Sequence, residues 1–179
     1  MVEVSIDSIR VSLMTQHRLV ILKDVQLERY LTIWIGVCEA DAITWELQEH
    51  TSPRPLTHDL IKNAIRDMGG TISSIVISDL KDDIFYARIM VDLAGGRKIE
   101  VDSRPSDALA VAVRAKVPIY VDDTVMERAA SLPDPEVREE PEEKEVKPTS
   151  EVPDDKLSVF KDFLDSLDLD DLDDSNQEH

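Results

Sequence analysis

Apolar and polar residues alternate along Val2–Leu13, the period-two signature of a strand with one buried face. Apolar clusters mark two more strands, Leu19–Lys23 and Leu31–Val37, and the period then changes. Over Glu39–Glu49 the apolar residues Ala42, Ile43 and Leu47 recur at helical spacing. The pattern returns further on, with strands expected at Thr71–Asp79, Ile84–Leu93 and Lys98–Val101 and a helix at Pro105–Lys116. Ala94-Gly95-Gly96 supplies the hairpin turn between the last two strands. Pro105 suits a first helical turn, where its missing N–H costs nothing, with Ser103 or Arg104 at the entry. A helix over Asp59–Met68 stands between the two series, with Leu60, Ile61, Ala64, Ile65 and Met68 as its apolar face, Thr57 as its cap and Gly69-Gly70 as its stop. A short strand, Pro118–Val121, closes the series.

The two series superpose at an offset of 66 residues, so that residues 5–49 repeat as 71–115. Ile6, Ser8, Ile9 and Ser12 fall on Ile72, Ser74, Ile75 and Ser78, while Asp41 and Ala42 fall on Asp107 and Ala108. The fold class implied is α+β: duplicated β-β-β-α units forming a mainly antiparallel or mixed sheet, with the helices packed to one side. That domain spans residues 1–130.

Charge separates the domain from the C-terminal tail. Residues 1–130 carry 15 Lys and Arg against 20 Asp and Glu, whereas residues 131–179 carry 5 against 18, so the tail holds most of the net charge of −18. Residues 131–154 combine acids with Pro133, Pro135, Pro141, Pro148 and Pro153 and few large apolar side chains, a composition that predicts a disordered linker. At 155–172, Leu157, Phe160, Phe163, Leu164 and Leu167 regain helical spacing and predict a short amphipathic acidic helix able to dock a protein partner; 173–179 reads as a disordered terminus. The acidic run serves as a binding tail or as a solvating spacer.

A single cysteine, Cys38, excludes a disulfide scaffold. The first twenty residues show no secretory pattern and no apolar run approaches bilayer length, so a cytoplasmic protein without a membrane span is expected. There is no P-loop, no dinucleotide-binding glycine motif and no zinc-protease motif, and His17, His50, His58 and His179 share no ligand spacing.

Two Arg-Pro segments remain, Arg54-Pro55-Leu56-Thr57-His58-Asp59 and Asp102-Ser103-Arg104-Pro105-Ser106-Asp107, each opening a helix. A helix N-terminus gathers unpaired N–H groups, so an adjacent guanidinium and hydroxyl make a phosphate seat. The same residues serve as plain structure: Thr57, Ser103 and Ser106 as caps, with Asp59 and Asp107 favouring the first turn. A cap, however, needs neither the guanidinium nor the imidazole.

These motifs carry a resemblance. Ile33-Trp34-Ile35-Gly36 followed by Glu39-Ala40-Asp41-Ala42-Ile43, then RPLTHDL (54–60), VISDLKDDIFYARI (76–89), VDSRPSDALAVAVR (101–114) and Pro118-Ile119-Tyr120-Val121 closely resemble the bifunctional nuclease family, over about residues 1–130. The resemblance implies cleavage of both DNA and RNA, hence a nucleic-acid substrate. Some members carry a further C-terminal domain of the UvrB/UvrC interaction type, which the acidic tail here does not match.

Roles can be assigned from what phosphodiester cleavage requires. His58, Asp59, Asp102 and Asp107 are the catalytic candidates, with His58 as general acid or base. Arg54, Thr57, Ser103, Arg104 and Ser106 are the substrate-binding candidates. Asp102, Asp107 and Glu39 are the oxygen ligands for a divalent Mg or Mn ion, with no organic cofactor. Structural alternatives stand beside each: Asp102 or Asp107 pairing with Arg104, Glu39 favouring its own helix start, and His58 held by a backbone carbonyl. The acidic balance argues against a broad basic face, leaving a local patch of Arg54, Arg88, Arg97, Lys98, Arg104 and Arg114. The competing function is a non-catalytic homo-oligomeric interaction module whose C-terminal helix recruits a partner. For Trp34, Trp45, Phe85 and Tyr86 core packing is the default expectation.

Overall fold

The N-terminal alternation becomes β1 (Val2–Val11), antiparallel to β2 (Arg18–Asp24), which is antiparallel to β3 (Tyr30–Ile35). Helices α1 (Val37–Leu47) and α2 (Thr57–Asp67) come next. A second meander, β4 (Gly70–Lys81), β5 (Ile84–Leu93) and β6 (Lys98–Ser103), leads into α3 (Pro105–Ala115). The last described elements are β7 (Ile119–Val121), α4 (Asp123–Ala129) and β8 (Ala130–Ser131). The computed structural model describes residues 1–12 and 17–132; the expected helix at 155–172, the terminus at 173–179 and all but the start of the linker at 131–154 lie outside them.

The described strands form one sheet in the order β6-β5-β4-β7-β1-β2-β3-β8. β7 is the seam: it runs antiparallel to β1 and parallel to β4, which makes an otherwise antiparallel sheet mixed. The two meanders therefore flank it in mirror order. Each has a register shift in its first strand, between Ile6 and Ser8 in β1 and between Ile72 and Ser74 in β4, positions that differ by the same 66 residues as the sequence offset.

One face of the sheet is covered by helices. Val20, Leu22, Leu31, Ile33, Ile75, Ile77, Ala87 and Ile89 are buried beneath Ala40 and Ile43 of α1 and the Ala108–Ala112 run of α3. α3 packs against β4, β5, α1 and α2 at once, and its alanines let so many backbones approach while Leu109 and Val111 fill the space between them. Burying Leu109 alone contributes about 1.5–3 kcal/mol.

Several expectations shift in detail. α1 starts two residues earlier than the apolar spacing indicated, with Gly36 at its N-cap, and Leu47 is exposed. Ile61 and Ile65 of α2 pack on the core, but Leu60 and Met68 face solvent. Gly95 and Gly96, both at φ +78°, form a 3₁₀ turn that returns β5 to β6, with the Leu93 amide donating to the Arg97 carbonyl at 2.8 Å. α4 and β8 have no counterpart among the elements expected from the hydrophobic pattern.

Candidate functional site

Helix starts assemble the site. Arg104 is the N-cap of α3, and Pro105 at N1 fixes the entry. The Arg104 side chain folds over the first turn, where Nε donates to Asp107 Oδ2 at 2.7 Å and Nη2 to Asp107 Oδ1 at 3.0 Å. Its Nη1 donates to Glu39 Oε1 of α1 at 3.0 Å. From α2, His58 Nε2 meets Asp107 Oδ1 at 3.4 Å, a long contact. Four side chains from three helices thus converge: His58, Asp107, Arg104 and Glu39. The imidazole is buried, with its side chain 11% exposed, while the guanidinium is 65% exposed.

The electrostatics are those of a held pair. Burial alone would raise the Asp107 carboxyl, but hydrogen bonds from Arg104 and then His58 outweigh it and hold it below the usual carboxylate range. Asp107 is therefore held as an anion. With Nε2 donating to that anion, Nδ1 of His58 is the basic nitrogen. Arg104 has five N–H donors and commits three to carboxylates, which leaves one on each terminal nitrogen for another acceptor.

Gly36 makes the Glu39 contact feasible. A Cβ on Gly36 would run into the Glu39 carboxylate, which curls back over the start of α1 to reach Arg104. Beside the cluster lies a cavity of about 300 Å³ bordered by Trp34, Glu39, Asp83, Phe85, Arg104 and Ser106. Trp34 is 60% exposed, so this indole is a cavity wall and not the core residue the sequence pattern favoured.

The other expected residues go elsewhere. Asp59 accepts from the Leu56 amide at 2.9 Å and from buried Arg114 Nε at 3.1 Å, serving α2's first turn and a structural ion pair. Thr57 makes no side-chain cap, because Leu56 occupies the N-cap position. Ser103 sits opposite Ala87, and its Oγ is buried without a hydrogen-bond partner among the described residues. Asp102 lies one residue earlier in β6, so strand alternation puts it beside Arg88 on the face away from the helices. It cannot join Asp107 and Glu39 as a third metal ligand. Among the described residues no group of three or more His, Cys, Asp and Glu is placed to hold a metal ion.

Arg114 is the residue whose role sequence reasoning missed. Counted there as part of an exposed basic patch, its side chain is 2% exposed and bridges three helices: Asp59 of α2, the Ala42 carbonyl of α1 at 2.9 Å and the Ala110 carbonyl of its own helix at 2.8 Å. Lys62 of α2 donates to the Arg114 carbonyl at 2.7 Å and caps the end of α3. The signal available was its placement seven residues after Asp107 on an otherwise apolar helix, the same face two turns on.

Arg54 stands apart from the cluster, on a second cavity of about 300 Å³ that also includes Trp45, His50 and Lys62. No helix among the described residues is long and apolar enough to cross a membrane.

Comparison with known proteins agrees with the motif reading. The bifunctional nuclease domain matches residues 20–133. An uncharacterized protein of Mycobacterium tuberculosis, Rv1829, is 40% identical over 162 residues, which cover 90% of this chain and 92% of that protein. Bifunctional nuclease 1 of Oryza sativa subsp. indica is 34% identical over 71 residues, 38% of this chain and 22% of that protein. Bifunctional nuclease 2 of Arabidopsis thaliana is 30% identical over 70 residues, again 38% of this chain and 21% of that protein. With strands β3 to β8, the helix starts and the D-S-R-P-S-D segment that builds the cluster all inside the matched region, the chain belongs to the bifunctional nuclease domain family.

Proposed function

We propose that this protein hydrolyses phosphodiester bonds of DNA and RNA at the His58–Asp107–Arg104–Glu39 cluster. The observation that supports the reading most is a buried imidazole backed by an ionised carboxylate that also clasps an exposed arginine with donors to spare. Water as the nucleophile serves both sugars, since DNA has no 2′-hydroxyl to attack its own phosphate. Arg104 offers its two uncommitted N–H groups to the non-bridging oxygens and stabilises the charge that builds as water attacks phosphorus. His58 Nδ1 takes the proton of that water, the P–O bond to the leaving sugar breaks on the opposite side of phosphorus, the leaving oxygen takes a proton from solvent water, and the imidazolium gives its proton to solvent. Asp107 keeps the ring oriented and stabilises its charged form, and Glu39 positions Arg104.

A divalent cation, expected from Asp102, Asp107 and Glu39, does not suit this arrangement. Asp102 is on the other face of β6, and the Arg104 guanidinium occupies the position between the two remaining carboxylates. The test is cleavage of end-labelled single-stranded DNA and RNA by the full chain, beside H58A and D107N variants, with and without EDTA. Turnover lost in both variants and retained in EDTA supports this site; turnover that needs Mg or Mn overturns the metal-free form of it.

A second reading, the oligomeric interaction module, draws on β6. This strand is one of the two edges of the sheet among the described residues, opposite the two-residue β8, and exposes Ile99 and Val101. Antiparallel pairing with β6 of a second copy sets Lys98 against Asp102 at both ends of the strand. Sedimentation of I99K tests it: a dimer that persists in this variant removes β6 as the interface.

A further inference from the structure

The proposed cleavage site carries an excess of carboxylate. Glu39 and Asp107 outnumber Arg104, and Asp83 adds another acid to the adjoining cavity, so the site itself holds a polyanion poorly. A nuclease built this way needs a cationic contact elsewhere along the strand.

The second cavity has the opposite balance. It lies between the C-terminal end of α1, the 48–56 connection and the first turns of α2. Once the buried Arg114–Asp59 pair is set aside, Arg54 and Lys62 outnumber Glu46 in its lining. Arg54 is exposed and has no hydrogen-bond or ion-pair partner among the described residues. Trp45 stands beside it, 47% exposed, with its ring edge-on to His50 at 5.9 Å between centroids. An unpaired guanidinium next to a half-exposed indole is what stacks a base and holds its phosphate.

We infer that this cavity is a second nucleic-acid subsite, which stacks a base of a single strand on Trp45 and holds the neighbouring phosphate at Arg54 and Lys62. The inference rests on the nuclease reading for its location relative to the chemistry, and it adds the substrate form: single-stranded, because stacking on an indole needs an unpaired base. Glu39 and Trp45 lie six residues apart on α1, about 9 Å along the helix axis. The two positions also lie about 120° apart around that axis, so a single strand joining them needs at least about three nucleotides.

The chain's two tryptophans divide between the two cavities, Trp34 beside Arg104 and Trp45 beside Arg54, which makes the test direct. In W34F the remaining indole reports the second cavity alone. Titration of full-length W34F with short oligo(dT) and oligo(rU) is expected to change Trp45 emission. R54A on that background weakens binding and lowers the slope of log affinity against log salt by about 0.7, the share of one single-strand phosphate contact. By anisotropy of a labelled oligonucleotide, W45A weakens binding about tenfold. Arg54 is exposed and unpaired, so a circular dichroism melt of R54A should match that of its parent.

A silent Trp45, or a salt slope unchanged by R54A, overturns the subsite. Cleavage measured in parallel with the unaltered full chain, which keeps Trp34, separates the two readings. Cleavage with a silent Trp45 overturns the subsite and leaves the nuclease site standing, whereas an Arg54-dependent Trp45 response without cleavage keeps the subsite and removes the nuclease reading.

Discussion

Replacing Arg114 by Met tests whether the helix layer that carries the site is tied at one buried guanidinium. The substitution keeps the long apolar stem and deletes the charge. Three hydrogen bonds disappear, to Asp59 at 3.1 Å and to the Ala110 and Ala42 carbonyls at 2.8 and 2.9 Å. Both carbonyls lie inside helices and keep their backbone partners, so the dominant cost is an acid left without its cation. Breaking a buried pair in this way costs about 3–5 kcal/mol. Asp59 is 32% exposed and can take up water, which puts the expectation near the lower end, about 3 kcal/mol. For a urea m-value of about 2 kcal/mol/M, the unfolding midpoint falls by about 1.5 M. In a D59N background the same substitution should cost about 2 kcal/mol less, because the partner is already neutral. Equilibrium urea denaturation followed by circular dichroism measures both. A midpoint within about 0.3 M of the parent, or an equal cost in the two backgrounds, refutes the reasoning.

Other expectations rest on the same geometry. G36A should move the Glu39 carboxylate off Arg104 while costing less than about 1 kcal/mol, because the group that must give way is the tip of a flexible side chain; a fall in turnover without a fall in melting temperature checks it. Asp24 is buried, and although burial pushes its carboxyl up, hydrogen bonds from the Gln26 and Leu27 amides and Arg29 hold it below the usual range. Its contribution, like that of Asp107, is present above the unfolded carboxylate pKa of about 3.9 and is lost as pH falls through the depressed folded value. Urea midpoints should therefore drop steeply below about pH 4, and D24N should flatten that drop as well as lower stability at neutral pH. D107N should cut turnover about 100-fold or more, by removing the anion that orients His58 and Arg104, with kcat falling further than KM rises.

Much of the fold was legible because the hydrophobic period is a direct consequence of which faces are buried. The two meanders and three of the helices appear in the alternation, whereas the register shifts between Ile6 and Ser8 and between Ile72 and Ser74 did not enter the sequence reading, although the apolar phase slips there. α4 was hidden because only Val125 and Met126 of its seven residues are buried, too few to show a period. Helix starts were misplaced by two residues where a backbone conformation, and not a side-chain cap, begins the helix, as at Gly36 and Leu56.

The site was legible as a set of residues and not as a geometry. His58, Arg104, Asp107 and Glu39 meet, yet the closest pairing, Arg104 with Asp107 three residues on, is also the structural alternative that spacing alone offers. Asp59 and Asp102 were grouped with the site by adjacency in sequence. A helix turns successive residues about 100° apart and a strand sends them to opposite faces, so Asp59 and Asp102 diverge from His58 and Ser103. Arg114 illustrates the reverse error, since charge suggested exposure and partners across two other helices decided burial.

The central claim is that one cluster cleaves phosphodiesters. It is tested most directly by single-turnover cleavage of labelled single-stranded RNA and DNA with the full chain and with R104A, whose altered side chain is exposed and leaves the core untouched. The account predicts cleavage by the parent and a loss of about 100-fold or more in R104A, with a circular dichroism melt showing that the variant is folded at the assay temperature. Equal cleavage by the two proteins, or none by either, would contradict it.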